Sequence, residues 1–205
     1  MRQYLTPRNR MAVLAILALL LVLQGCSDRN ADWHGKDISG LMPDLEFRLT
    51  GTSGKPLTEA DTDGQIRLVY FGFTSCPDVC PATLSGLSKA IKQMPEDLQD
   101  DVTTLFVSVD PQRDTPERIG SYVNFFGENI LGMTAEQPTL RDLTKRYRTT
   151  FGYDEPDADG NYQVSHSAAV YVFDGAGNAR LLFRPDLTPQ MMSEDLTTLA
   201  RESRT

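Results

Sequence analysis

Two long apolar runs dominate the hydrophobic pattern. Gln65 to Phe73 reads QIRLVYFGF and Val102 to Val109 reads VTTLFVSV. β-Branched and aromatic residues with almost no alternation predict strands buried on both faces. Leu45, Phe47 and Leu49 alternate with Glu46 and Arg48 and predict a half-exposed strand. Spacings of three and four predict helices. Leu84, Leu87, Ile91 and Met94 place one over Ala82 to Met94, stopped by Pro95. Ile119, Tyr122, Val123 and Phe126 place a second, opened by Thr115-Pro116, and Leu140, Leu143 and Tyr147 a third over Pro138 to Phe151. Tyr162 to Phe173 and Ala179 to Phe183 read as two strands joined by the turn sequence DGAGN, and Thr188-Pro189 opens a closing helix through Leu199.

Parallel crossover units, then a helix, an antiparallel hairpin and a last helix, predict an α/β fold of thioredoxin-like arrangement. It is a mixed sheet flanked by helices on both faces. The pattern starts this domain at Leu41 and carries it through residue 205. Residues 26–40 are polar and aperiodic and read as a tether. Residues 1–25 have a secretory layout: Arg2, Arg8 and Arg10, then 13 apolar residues from Met11 to Leu23. That run is short for a membrane-spanning helix, which needs roughly 20 residues. Leu23-Gln24-Gly25-Cys26 resembles the lipobox of bacterial lipoproteins, with Gln24 where a small residue is usual and Cys26 as the residue to be lipidated. An uncleaved N-terminal anchor is the alternative. Either way the domain is expected to be membrane-anchored and extracytoplasmic, on the periplasmic side of a bacterial membrane.

The whole chain carries a formal charge of −8. Without residues 1–25 it loses three arginines and no acid, reaching −11. Such a field argues against nucleic acid and suits a cationic protein or a metal ion. Cysteine usage narrows the chemistry further. If Cys26 takes a lipid, Cys76 and Cys80 are the remaining thiols, and a stabilising framework would use more bridges across longer loops. A closely spaced lone pair at the end of a central strand points to redox or metal chemistry.

Residues four apart on a helix have Cα atoms roughly 6 Å apart, within reach of a disulfide. Pro81 inside a helix would clash with the carbonyl of Pro77, which predicts a wrapped loop over Thr74 to Cys80 and a helix beginning at Pro81. A helix N-terminus beside the sulfurs would favour thiolate. Two thiolates suit Cu(I), whereas Cu(II) prefers an added nitrogen. The chain's two histidines are His34, in the expected tether, and His166, at the start of the hairpin strand. A structural role for His166 is the plain alternative.

FGFTSCPDVCP, VSVDPQRDTPE and YQVSHSAAVYVFD, three separated motifs in order, resemble the Sco (SenC) family of thioredoxin-fold copper proteins, and the similarity spans about residues 41 to 203. The family helps metallate the binuclear copper site of cytochrome c oxidase. The resemblance implies Cys76, Cys80 and His166 as ligands of Cu(I) or Cu(II). It also implies Asp110, Arg113 and Asp114 as residues shaping the copper loop or a docking surface, although Asp-Pro and Asp-Thr-Pro are ordinary turn and capping chemistry. Family members commonly carry an aspartate just before the histidine, where this chain has Ser165. The implied partner is the copper-accepting subunit of cytochrome c oxidase. Two functions compete: a copper chaperone using all three ligands, and a thiol-disulfide reductase using Cys76 and Cys80 alone. A peroxidase needs one activated cysteine, against which the proline-flanked pair argues.

Overall fold

A computed structural model describes residues 32–204. The expected signal peptide and Cys26 lie outside the described residues. In chain order the strands are β1 (Lys36–Asp37), β2 (Arg48–Gly51), β3 (Pro56–Thr58), β4 (Ile66–Gly72), β5 (Val102–Ser108), β6 (Ile130–Thr134), β7 (Phe151–Tyr153), β8 (Val164–His166), β9 (Val170–Phe173) and β10 (Ala179–Phe183). The α-helices are α1 (Val79–Gln93), α2 (Pro116–Asn124), α3 (Gln137–Arg146) and α4 (Pro189–Ser203).

Among the described residues eight strands form one sheet in the order β1-β10-β9-β4-β5-β6-β2-β3, and β7 pairs with β8 separately. Every residue of β4 and β5 is buried, which requires cover on both faces of the sheet. The mixed, helix-flanked sheet expected of the pattern is therefore the one observed. β4 runs parallel to β5, Ile66 opposite Val102, and antiparallel to β9, Tyr70 opposite Val170. This register sets the end of β4, where the cysteine segment leaves, beside the start of β9, which follows His166.

The structure departs from the pattern in four places. α1 begins at Val79, ahead of Pro81. Proline at the third helical position loses an N–H that has no intrahelical partner anyway, and Pro77, whose carbonyl it would strike, lies outside the helix. α3 stops at Arg146: Arg148 enters the left-handed region at φ 52°, and Thr149 N–H bonds back to the Thr144 carbonyl at 2.9 Å. Phe151 is thereby released into β7, and a separate parallel strand, β6, precedes α3. The run from Tyr162 to Phe173 is two strands, broken where Ser167 Oγ accepts the Ala169 N–H at 3.2 Å.

The fourth departure concerns the expected tether, part of which is folded. Lys36 and Asp37 pair with Leu182 and Leu181, Ile38 is buried, and the buried Asp195 carboxylate accepts the N–H groups of His34 and Gly35. The compact unit begins at Trp33 rather than Leu41. Backbone pairing of two residues has no hydrophobic period, so polarity alone mistook this edge strand for linker.

Candidate metal centre

β4 ends at Gly72, and the chain crosses Phe73, Thr74 and Ser75 to reach Cys76. The Cys76 N–H bonds the Phe73 carbonyl at 3.3 Å, and Cys76 Sγ accepts the Cys80 N–H at 3.3 Å. Cys80 sits in the first turn of α1, fully buried, while Cys76 is partly exposed; both are free thiols. Pro77 and Asp78 between them face solvent.

Gly72 makes room for this loop. A Cβ there would lie 2.8 Å from Phe106 Cε2 and 2.9 Å from Cys80 Sγ. Gly72→Ala is expected to destabilise the domain by about 1–3 kcal/mol through overpacking, read as a lower denaturant midpoint. An unchanged midpoint would show that the loop yields freely.

His166 is the last residue of β8, opposite Phe151. Its Nδ1 lies 3.0 Å from the Ser167 carbonyl. A carbonyl can only accept, so Nδ1 carries the hydrogen and Nε2 presents its lone pair. Nε2 lies 3.4 Å from Cys80 Sγ and accepts a hydrogen bond from the thiol. The imidazole is fixed edge-to-face by Phe73 at 5.6 Å and Tyr70 at 6.0 Å between ring centres. One ligand atom from each of Cys76, Cys80 and His166 lies within 4.8 Å of the others, a grouping able to hold a metal ion. The sequence separates Cys80 from His166 by 86 residues; the β4–β9 register removes that distance.

Ser165 does not touch the imidazole. It is exposed and bonds the Gly152 carbonyl at 3.4 Å, as expected of a strand neighbour projecting to the opposite face. The Ser167 carbonyl orients the ring instead. His34 lies away from the cysteines, paired with Glu194 at 2.8 Å.

Electrostatics at Cys80 run against the helix-terminus expectation. Burial pushes its thiol up to about 12, outweighing the Tyr70 and Phe73 groups that favour thiolate. The metal-free Cys80 is therefore a neutral thiol.

Asp110 and Asp114 are fully buried. Asp114 clamps the cysteine loop: it accepts the Thr74 N–H at 2.8 Å, the Thr74 hydroxyl at 2.5 Å and the Ser108 hydroxyl at 2.5 Å. Asp110 holds the other side. It accepts Arg113 Nε at 2.5 Å and the Tyr162 hydroxyl at 2.6 Å, while Arg113 Nη1 donates to the Tyr162 carbonyl at 3.0 Å. The Arg113 guanidinium stacks 3.8 Å from the Tyr162 ring centre and 5.7 Å from that of Phe73. Burial, then the Asp110 carboxylate, pushes the Tyr162 hydroxyl up to about 12, keeping it a donor. The segment after β5 thus braces both halves of the site, the Thr74 loop and the chain entering β8. Ser108 and Tyr162 had no signal in the sequence beyond ordinary polar and aromatic positions.

The SCO1/SenC family model matches residues 41–201. The chain belongs to the SCO1/SenC family. An SCO2-like protein of Rickettsia conorii is 30% identical over 74% of this chain and 74% of its own. Among solved SCO1/SenC structures, Arabidopsis thaliana ScoI with copper bound superposes with a TM-score of 0.70 at 29% identity, covering 78% of this chain and 98% of that one. Bradyrhizobium japonicum ScoI with copper bound gives 0.68 at 33% identity, covering 76% and 98%. The family is linked to cytochrome c oxidase assembly. No helix among the described residues is long and apolar enough to cross a membrane.

Proposed function

We propose that the chain is a membrane-tethered copper chaperone. It takes up copper through Cys76, Cys80 and His166 and delivers it to the copper-accepting subunit of cytochrome c oxidase, assisting assembly of the binuclear site. The observation that carries this reading is the convergence of two free thiols and an imidazole lone pair within 4.8 Å. Two sulfurs with one nitrogen form a donor set suited to copper in both oxidation states, and related proteins have been solved with copper bound. The tether in this reading is residues 26–31, anchored through a lipid on Cys26 after removal of residues 1–25, which holds the domain on the extracytoplasmic side. Partly exposed Cys76 and His166 flank buried Cys80, so an acceptor thiol can displace the outer ligands first and the innermost last.

Copper titration of the reduced protein tests the reading. The expected result is equimolar binding with a thiolate-to-Cu(II) absorption band that vanishes in Cys76→Ser. Because Cys80 must lose a proton to bind, and holds it up to about pH 12, affinity rises with pH across the neutral range. The slope is about tenfold per pH unit for this sulfur alone. A pH-independent affinity would remove Cys80 from the ligand set, and no binding at micromolar copper would overturn the chaperone reading in favour of the reductase.

One observation favours a second reading, thiol-disulfide reduction: the pair is asymmetric, with Cys76 reachable and Cys80 buried beside it. The Cys76 thiolate would attack a partner disulfide and expel one partner thiolate. Cys80 would then attack Cys76, leaving a Cys76–Cys80 disulfide and a partner reduced by two electrons.

A further inference from the structure

Beside the cysteine pair lies a shallow hollow of about 480 Å³ whose lining includes Thr74, Pro81, Arg118, Tyr122 and Phe125. Thr74 leads into Cys76 and Pro81 follows Cys80, so the hollow borders both flanks of the pair. Arg118, Tyr122 and Phe125 recur at spacings of four and three along α2 and its C-cap, and so share one face. Phe125 is 85% exposed, with Phe126 edge-on to it at 5.3 Å between ring centres. A single exposed ring is ordinary, but this one stands beside a fixed cation. Arg118 Nε donates to the Thr74 hydroxyl at 2.7 Å and Nη2 to the Ser75 hydroxyl at 3.0 Å, while Nη1 has no partner among the described residues. Asp114 is 3.7 Å from Nε, but its oxygens already accept three shorter hydrogen bonds. The Arg118 side chain is 53% exposed, and none of the described residues lining the hollow is acidic. In a chain of net charge −8 this is a local positive spot, held in place before any partner arrives. Such fixing removes much of the ordering cost of a long side chain on binding.

We propose that this face docks the copper-accepting subunit of cytochrome c oxidase: an apolar side chain of the partner covers Phe125, and a neighbouring partner carboxylate pairs with Arg118. The identity of the partner rests on the chaperone reading. Charge complementarity selects the carboxylate, because a guanidinium with an open Nη1 edge presents the planar fork that matches one. An aromatic ring next to an arginine is also the composition of interface anchors. Position selects the acceptor. A protein whose thiol reaches the partly exposed Cys76 must rest on the surface that flanks it.

The test is calorimetric titration of the full chain, reduced, copper-free and in mild detergent, with the copper-free soluble domain of that subunit at low and high salt. Phe125→Ser is expected to raise Kd about tenfold or more, and Phe125→Leu, which keeps an apolar cover, to recover most of that loss. Arg118→Gln should raise Kd about threefold to tenfold and weaken its dependence on salt. Leu41→Ser removes another exposed apolar side chain, beyond β1, and should bind like its parent. Absence of binding by the parent, a Kd within twofold of it in Phe125→Ser or Arg118→Gln, or an equal loss in Leu41→Ser overturns the proposal. Self-association of the parent that Phe125→Ser abolishes would assign the face to a second copy of the chain and overturn it as well. A parent that binds the domain through this face yet takes up no copper would instead sink the chaperone reading and leave the docking face standing.

Discussion

His166→Ala is expected to abolish Cu(II) binding at micromolar copper, a loss of more than about 100-fold in affinity, while Cu(I) binding and disulfide exchange through Cys76 and Cys80 persist. Cu(II) needs the nitrogen, and His166 is the imidazole that reaches the sulfurs; His34 is engaged with Glu194. Cu(I) can be held nearly linearly by two thiolates, and the loop that carries both sulfurs is held by Asp114 through Thr74. Titration of the variant with each oxidation state, alongside its rate of reducing a model disulfide, separates the chaperone from the reductase. A variant that binds Cu(II) as tightly as its parent would show the ligand assignment to be wrong.

The second large effect is expected at Asp114, which touches neither thiol. Its carboxylate accepts three short hydrogen bonds in a fully buried position, with Arg118 Nε 3.7 Å away. Asp114→Ala strands the Thr74 N–H and two hydroxyls, with an expected loss of about 3–5 kcal/mol. For a domain of this size that lowers the melting temperature by about 10 °C. Thr74 leads directly into Cys76, so copper affinity should fall as well. Asp114→Asn keeps one acceptor oxygen and should recover part of both losses. A melting temperature within a degree or two of the parent would mean that the loop is held by other contacts.

Long uniform patterns were legible and short or mixed ones were not. β4 and β5 stand out because seven successive residues share one buried environment, and α1 because its buried stripe repeats at helical spacing. Leu45, Phe47 and Leu49 are buried as their alternation predicts. β6 is ILGMT, five residues with a glycine at the centre, where a Cβ would fall 2.3 Å from an Ile119 methyl. Its helix-packing role makes it look unlike a strand. The break between β8 and β9 is set by one serine side chain and leaves hydrophobicity unchanged across it. At the site, residue chemistry and the family motifs named the two cysteines and His166, and topology explains how they meet. The roles of Asp110 and Asp114 were open, because a capping aspartate and a buried clamp look identical when the partner is 40 or more residues away, as Thr74 and Tyr162 are. The Cys80 thiol was misjudged because helix position is local information and burial is not.

The 86-residue separation of Cys80 and His166 also bears on how the domain is held together. Metal seated on both would be a reversible cross-link between the cysteine loop and β8, across a stretch that includes β5, β6 and two helices. An unfolded chain could offer the two sulfurs as a local pair, yet it would have to close that long loop to add the imidazole. Cu(II) in the three-ligand site therefore recognises the native chain over the denatured one. Grip on the ion and resistance to unfolding become one equilibrium seen from two ends. Surrendering the metal returns the domain to the strength of its own packing.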